Sequence, residues 1–319
     1  MKIVCPCCQS LSILSADLKV CGHCGMKLRD STGMFDFVTS PDRADERKFY
    51  DDSYLGAVKA SIPKQSIESM WARWESPEAP ENRIVLKEVG DLAGKSVLLL
   101  GNGDSAKELV FLTMNPKHLV YSDLSTHALV NMETQFSLDE YRENLIFAAI
   151  DAHSIPFAPE SFDLIYGFAM VHHLPDLDLF FRSVIAALKP GGRAVFMDDA
   201  FAPLWHYSKQ TWLRPVMRYS HKKSGISPED YRFSMQGGFK EKELAKEILK
   251  VRAEPYFVRT SLLTYVLYRG AGKLLPRGLN KMLRRPAVSR TIRWVDRGLC
   301  KLPVLRSNQI RLVWGFKKS

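Results

Sequence analysis

The chain of 319 residues is 46% apolar, which is enough to bury a full hydrophobic core and leaves room for roughly two or three domains. Its net charge of +10 is unevenly spread: residues 203–319 hold 26 Lys and Arg against 7 Asp and Glu, a net of +19, so residues 1–202 carry −9. No apolar run is long enough to span a bilayer and no signal peptide opens the sequence, so we expect a cytoplasmic protein. The basic third favours phosphate-bearing partners, either nucleic acid or anionic lipid headgroups.

The sequence begins with two C-x₂-C pairs that are separated by twelve residues. Two such pairs place four thiolates around a tetrahedral zinc ion, whereas a disulfide pair does not suit a reducing compartment. Because four thiolates leave no open coordination position, we predict a structural zinc held by Cys5, Cys8, Cys21 and Cys24. Cys7 and His23 are spare ligands. We assign residues 1–39 to a zinc ribbon and residues 33–38 to its last strand.

Residues 40–92 are rich in charged and aromatic side chains, notably in residues 49–54 and 70–74. We interpret this segment as a helical lid or linker before the next domain. Its aromatic residues either line a lid over a ligand or pack against a sheet, and the sequence leaves both alternatives open.

The segment 96–109 runs from an apolar β-type stretch through Gly101 and Gly103 directly into a helix-forming stretch. A strand, a glycine turn and a helix in this order form the crevice in which open α/β sheets bind nucleotide-like ligands. Because the two glycines carry no Cβ, ligand atoms can approach their backbone. A turn made only for packing has the same pattern, so the motif alone predicts a binding crevice only weakly.

Further strands follow at regular distances. Residues 117–125 contain Asp123, about 20 residues beyond the glycines, where ribose hydroxyls need a carboxylate acceptor. Three more strands are predicted at residues 144–152, 161–168 and 192–198, and helical patterns separate them. This alternation predicts an α/β fold with a doubly wound parallel sheet.

The stretches LLLGNGDS, YSDLS, IDAHSIPFAPESFDLIYGFAMVHHLPD and LKPGGRAVF resemble successive motifs of the class I S-adenosylmethionine-dependent methyltransferases, in particular those of the ubiquinone/menaquinone type. The resemblance covers about residues 93–200. It implies a Rossmann-like, seven-stranded sheet, with the cofactor core at residues 93–260. The last two strands of such a sheet are antiparallel, and we place them at residues 254–260 and within 308–319.

The resemblance also implies the cofactor site. The glycine loop would hold the methionine and ribose part of S-adenosylmethionine, the acid after strand two its ribose hydroxyls, and the residues after strand three its adenine. The implied residues are Gly101, Asn102, Gly103, Asp123, Leu124, Asp151, Ala152 and Phe168. The chain departs from the family pattern at Leu99, where an acid is common, and at Ser105, where a third glycine is common. Asp104 either substitutes for the missing acid or caps the following helix.

Two histidines follow the fourth predicted strand, at the edge of the sheet where the methyl group of the cofactor would lie. An imidazole there can accept a hydroxyl proton during methyl transfer, so His172 and His173 are the candidate catalytic residues. A structural role for the pair is the alternative, since transfer to nitrogen or to a stabilised carbanion needs no base. Asp198 and Asp199 are rival candidates.

Residues 261–307, between the last two predicted strands, combine apolar residues at helical spacing with many Arg and Lys. This pattern is typical of a helix on a membrane surface, and a basic helical cover over the active site would have the same pattern. The apolar residues predicted to meet a membrane are Leu274, Leu275, Met282, Ile292 and Trp294.

Three functions remain open. The first is a methyltransferase acting on a small, lipid-linked or glycan-linked, anionic acceptor, in peripheral contact with a membrane. The second is a zinc-ribbon RNA methyltransferase, although the chain lacks an Asn/Asp-Pro-Pro-Tyr/Phe motif after strand four and a recognisable RNA-binding module. The third is a binding protein of the same fold that performs no chemistry.

Overall fold

The computed structural model describes most of the chain, namely residues 1–15, 17–55, 64–76, 78–103, 106–211, 213–215, 218, 235, 237–265, 267–268 and 276–319. Four positions discussed above lie outside the described residues, namely Asp104, Ser105, Leu274 and Leu275. Within the described ranges, no helix combines the length and the apolar composition that crossing a membrane requires.

The strands are β1 (Lys2–Val4), β2 (Leu11–Ile13), β3 (Phe35–Asp36), β4 (Ser96–Leu100), β5 (His118–Asp123), β6 (Leu145–Ala149), β7 (Phe162–Phe168), β8 (Leu188–Asp199), β9 (Glu254–Thr260) and β10 (Arg311–Lys317). The α-helices are α1 (Ala44–Tyr54), α2 (Trp71–Trp74), α3 (Glu81–Val89), α4 (Thr126–Gln135), α5 (Leu177–Ala187), α6 (Pro203–Gln210), α7 (Glu241–Lys250), α8 (Leu263–Tyr265), α9 (Arg277–Leu283), α10 (Pro286–Leu299) and α11 (Pro303–Arg306). Three-residue 3₁₀ helices lie at Pro41–Arg43, Glu68–Met70, Asp139–Tyr141 and Val171–His173, and a nine-residue 3₁₀ helix lies at Ala106–Met114.

The main sheet has the strand order β3-β6-β5-β4-β7-β8-β10-β9. The strands from β3 to β8 are parallel, and β10 lies antiparallel between β8 and β9. The predicted doubly wound sheet with a terminal antiparallel pair is therefore confirmed. The carboxyl ends of β4, β5, β6 and β7 meet at one edge, where an open α/β sheet binds its ligand.

The central strand β4 shows why the sequence folds this way, since every residue from Ser96 to Leu100 is buried. Helices cover both faces of a parallel sheet, so its central strands are apolar along their whole length. One face packs against large side chains that include Phe180, Phe196 and Trp314. The other face packs against Trp74, Phe111 and Tyr166, among others.

The connection of the ribbon differs from the prediction. Residues 33–38 were expected to close the ribbon, but Phe35 and Asp36 pair in parallel with Ala148 and Ala149 of β6 and so add an eighth strand to the main sheet. Phe35 keeps one antiparallel bridge, to Arg29 in the ribbon. The reason is burial: the rings of Phe35 and Phe37 are 5% and 4% exposed and belong to the core of the main sheet, which the small ribbon cannot match.

The basic segment 261–307 before β10 is helical over most of its described part, as its periodicity predicts. One residue that the sequence predicted to meet a membrane is instead buried. Ile292 of α10 is 9% exposed, whereas Trp294 is 71% exposed. The carboxylate of Asp296 accepts hydrogen bonds from the backbone N–H groups of Leu263 and Thr264, at 2.8 and 3.1 Å. This contact sets the rotation of α10, because Ile292 and Asp296 are one helical turn apart and both point inward.

Candidate functional site

A cavity of about 280 Å³ opens at the carboxyl edge of the sheet. The glycine turn after β4, the ends of β5, β6 and β7, and helix α1 form its walls. Every residue that the sequence assigned to the cofactor lines this one cavity, namely Gly101, Asn102, Gly103, Asp123, Leu124, Asp151, Ala152 and Phe168. The structure thus brings together positions that are up to 67 residues apart in the chain (Gly101 to Phe168).

The two glycines of the turn are required by the backbone. Gly101 has φ = 58° and Gly103 has φ = 52°, in the left-handed region that other residues seldom adopt. A Cβ on Gly101 would lie 2.8 Å from the Cβ of Met170, and one on Gly103 would lie 2.5 Å from the hydroxyl oxygen of Tyr54. The turn therefore packs closely on both sides and presents bare backbone to the cavity.

The backbone fixes the carboxylate of Asp123. Its Oδ2 accepts a hydrogen bond from the N–H of Gly103 at 2.7 Å, and its Oδ1 accepts one from the N–H of Ser125 at 2.9 Å. Each oxygen keeps a second lone pair, so the carboxylate can still accept from a ligand. Burial raises the pKa of the Asp123 carboxyl to about 6, against the opposing effect of these backbone hydrogen bonds.

The side-chain amide of Asn102 also lines the cavity. Its Oδ1 and Nδ2 are both buried, and neither has a hydrogen-bond partner within the described part of the chain. A buried amide without partners costs about 1–3 kcal/mol per unsatisfied group, so a native structure seldom tolerates it without a ligand or water. The amide is thus suited to the polar groups of a bound molecule.

At the end of β6, Asp151 is tied to two residues that the sequence did not indicate as site residues. His153 donates its backbone N–H to Asp151 Oδ1 at 3.0 Å, and the Nε of Arg43 lies 3.4 Å from Asp151 Oδ2. Burial alone would raise the pKa of the Asp151 carboxyl, but the hydrogen bonds from His153 and the charge of Arg43 lower it to about 2. Asp151 is therefore a fixed anion at this wall.

Helix α1 covers the cavity. Tyr50 and Tyr54 line its inner side, which favours the lid interpretation of this segment for these two aromatic residues, whereas Phe49 is 42% exposed. Ser125 donates its hydroxyl to Asp51 at 2.5 Å, and Arg47 forms an ion pair with Asp36 of β3 at 2.8 Å. Two polar contacts thus anchor helix α1 to residues of the sheet and its loops.

The two candidate histidines point in different directions. His173 lines the cavity, and its Nδ1 lies 3.0 Å from the hydroxyl of Tyr50. His172 does not line it, because its buried ring lies with Nδ1 3.3 Å from Asp198 Oδ1, and Trp314 donates to the other oxygen of Asp198 at 3.1 Å. Asp199 forms an ion pair with Arg311. Of these candidates, only His173 borders the described cavity.

The four predicted zinc ligands form a separate cluster in the ribbon. The Sγ atoms of Cys5, Cys8, Cys21 and Cys24 all lie within 4.8 Å of one another. The sulfur atoms of Cys5 and Cys24, and those of Cys8 and Cys21, are 3.7 Å apart. Four thiolates at Zn–S distances of about 2.3 Å in a tetrahedron have sulfur atoms about 3.8 Å apart, so the donor set fits zinc.

Comparison with known proteins gives a consistent picture. Residues 98–196 match the sequence model of the family described as "Methyltransferase domain". Demethylmenaquinone methyltransferase of Lactococcus lactis subsp. lactis is 26% identical over 155 residues, which are 46% of this chain and 60% of that protein. Phthiotriol/phenolphthiotriol dimycocerosates methyltransferase 1 of Mycobacterium ulcerans is 30% identical over 110 residues, which are 34% of this chain and 39% of that protein. The matches span three fifths or less of these relatives.

Solved structures share the fold. The geranyl diphosphate C-methyltransferase from Streptomyces coelicolor A3(2) superposes with a TM-score of 0.53 at 12% identity, over 88% of this chain and 98% of that one. The phosphoethanolamine N-methyltransferase 2 of Haemonchus contortus, determined with S-adenosyl-L-methionine, has a TM-score of 0.52 at 16% identity, over 88% of this chain and 60% of that one. At these identities the likeness establishes the architecture.

Proposed function

We propose that this chain, which carries a class I S-adenosylmethionine-dependent methyltransferase domain, transfers a methyl group to a small or lipid-linked acceptor that bears negative charge. The observation that carries the proposal is the convergence of the predicted cofactor residues on one cavity, together with the partnerless amide of Asn102. When bound, S-adenosylmethionine supplies an electrophilic methyl group on a positively charged sulfur.

The residues present fit this cofactor. The carboxylate of Asp123, fixed by two backbone N–H groups, accepts the ribose hydroxyls. The amide of Asn102 and the bare backbone of the glycine turn hold the methionine part. Asp151 and Ala152 flank the adenine, and Asp151 is kept ionised and in place by His153 and Arg43.

Tyr50 and His173 are placed to remove a proton from the acceptor. Because the Tyr50 hydroxyl lies 3.0 Å from His173 Nδ1, it can pass its own proton to the imidazole while it takes one from an acceptor hydroxyl or amine. Both side chains line the cavity, so this transfer needs no movement of the sheet. His173 then carries the proton until it returns to solvent.

Two observations support an anionic, lipid-linked acceptor. Residues 203–319 carry a net charge of +19, and this part of the chain begins just after β8, whose carboxyl end lies at the edge where the cavity opens. Two relatives are named as methyltransferases of demethylmenaquinone and of phthiotriol dimycocerosates. We also propose that Cys5, Cys8, Cys21 and Cys24 hold a structural zinc, since their sulfur atoms already lie at tetrahedral spacing.

The test uses the full chain, S-adenosylmethionine labelled on its methyl group, and extracts of cells that lack the gene. We expect label to enter the organic-solvent extract rather than the aqueous one. Tyr50→Phe and His173→Asn should slow the transfer by roughly 10²–10⁴-fold and change the affinity for S-adenosylhomocysteine little, because neither group is assigned to the cofactor.

Two matched variants serve as controls. Tyr141→Phe removes a hydroxyl that contacts Glu68 outside the cavity, and His118→Asn changes a histidine at the start of β5, at the far edge of the sheet. Both should transfer methyl groups at the normal rate. Label in the structured RNA fraction alone would overturn the acceptor class, and the absence of S-adenosylhomocysteine binding would overturn the cofactor assignment.

A further inference from the structure

An exposed apolar patch lies away from the cavity walls, on two segments that are about 100 residues apart in sequence. Leu204 and Tyr207 of α6 are 59% and 67% exposed, and Leu302 and Val304 at the start of α11 are 55% and 68% exposed. Side chains of this size are seldom left so open in groups unless they bind something. We call these four residues the docking patch.

Hydrogen bonds join the two segments that carry the docking patch. The side chain of Asn308 accepts a hydrogen bond from the N–H of Leu204 at 2.7 Å and donates one to the carbonyl oxygen of Val304 at 2.8 Å. Arg259 joins them a second time, because it donates to the carbonyl oxygens of Phe201 and Ser307 at 2.9 and 2.8 Å. The backbones of the two segments that carry the docking patch are therefore held next to each other.

A basic cavity of about 380 Å³ adjoins the docking patch. Lys301 and Arg306, which flank Leu302 and Val304 in sequence, line it together with Arg259. Glu241 also lines it but is paired with Arg259 at 2.6 Å. Lys301 and Arg306 are exposed and take part in no ion pair within the described ranges, so the cavity presents two uncompensated positive charges.

The surrounding segment has the same bias. Residues 276–307 contain nine Arg and Lys and a single acid, Asp296. Asp296 is 4% exposed, and its carboxylate accepts hydrogen bonds from the backbone N–H groups of Leu263 and Thr264. It therefore does not offset the positive charge of this segment at the surface. A partner must therefore offer negative charge to the cavity and an apolar medium to the docking patch.

We propose that the docking patch and the basic cavity together bind the surface of an anionic phospholipid bilayer. The four apolar side chains enter the interfacial region, while Lys301 and Arg306 contact lipid phosphates. RNA suits this surface less well, because RNA-binding surfaces stack bases on several aromatic rings and the docking patch has only Tyr207.

The role of this membrane contact follows from its location in the fold. That role rests on the proposed methyltransferase function. Helix α6 begins four residues after β8 ends, so the docking patch lies at the same edge of the sheet as the cofactor cavity. A docked molecule would receive its acceptor directly from the bilayer. This arrangement favours a lipid-linked acceptor over a freely diffusing one.

The experiment is co-sedimentation of the full chain with vesicles of phosphatidylcholine mixed with phosphatidylglycerol, and with vesicles of phosphatidylcholine alone. We expect binding to the mixed vesicles only, weakening as salt is added. Lys301→Gln with Arg306→Gln should lower the partition coefficient by about 30-fold, and Leu302→Ser with Val304→Ser by about tenfold or more.

Matched changes on the ribbon, at the other end of the strand order, serve as controls. Lys2→Gln with Lys19→Gln alters the same number of exposed charges, and Ile13→Ser alters a side chain that is 71% exposed, so neither should change vesicle binding. Failure of the wild-type chain to bind mixed vesicles, or binding that survives both patch variants, would overturn the proposal. So would tight binding of structured RNA that the apolar substitutions leave unchanged.

Calorimetric titration with S-adenosylhomocysteine on the same samples separates this proposal from the proposed function. Wild type and patch variants should bind the product equally well, since none of the altered residues lines the cofactor cavity. Vesicle binding without product binding would leave the membrane contact standing and remove the enzymatic function. Product binding without vesicle binding would leave the enzymatic function standing and overturn the membrane contact.

Discussion

Replacing Asp123 by Asn tests the assignment of the cavity at its most constrained position. The carboxylate accepts from the N–H of Gly103 and from that of Ser125, and its remaining lone pairs face the cavity. An amide of the same shape keeps one acceptor oxygen but turns an NH₂ group towards the second N–H and carries no charge. The loss of charge-assisted hydrogen bonds to the ribose, about 1.5–3 kcal/mol, corresponds to a dissociation constant for S-adenosylhomocysteine that is roughly 10 to 150 times larger.

Isothermal titration calorimetry with S-adenosylhomocysteine measures this change directly. Asp52→Asn is the matched control, because Asp52 is an exposed residue of α1 that does not line the cavity, and it should leave the affinity unchanged. Thermal unfolding of the ligand-free variants checks that the glycine turn survives the substitution. An affinity for Asp123→Asn equal to that of the wild type would refute the reasoning about ribose binding.

Two further predictions concern pH and metal. Because burial raises the pKa of Asp123 to about 6, its carboxyl is ionised above pH 7 and gains a proton as the pH falls through 6. The affinity for S-adenosylhomocysteine should therefore be constant at higher pH and fall by up to about tenfold per pH unit below 6. Titrations at several pH values measure this dependence, which should be absent in Asp123→Asn. Purified protein should contain about one zinc per chain by elemental analysis, and the double variant Cys21→Ser, Cys24→Ser should lose the zinc and unfold at a temperature roughly 5 °C or more lower. The control Cys7→Ser changes an exposed cysteine outside the cluster and should keep both the metal and the unfolding temperature. Retained metal in the double variant would contradict the assignment.

The candidate site residues that can be predicted from the sequence are those whose signal is local. The turn at Gly101 and Gly103 needs glycine for its left-handed backbone, and Asp123 follows at the distance that one helix and one strand impose. The cluster of four cysteines can be predicted in the same way, because tetrahedral metal coordination restricts the spacing of its ligands along the chain. In each case a physical requirement acts on residues close together in the chain.

Contacts between distant segments left no such signal. Arg43 reaches Asp151 across 108 positions, and Tyr50 reaches His173 across 123, yet neither residue stands in a pattern that predicts its partner. His172 and His173 are adjacent and look equivalent in sequence. The 3₁₀ helix at Val171–His173 turns one ring towards Asp198 and the other towards the cavity, which only the packed structure reveals.

The short strand β3 also constrains the order in which the chain can fold. The cysteine cluster needs only the first two dozen residues, so it can close while the rest of the chain is still being synthesised. Phe35 and Asp36, however, pair with Ala148 and Ala149, which emerge more than 100 residues later. Since such distant contacts form slowly, the ribbon should wait as a preformed, undocked unit. We expect α1, which follows β3, to settle over the cavity only in this late step.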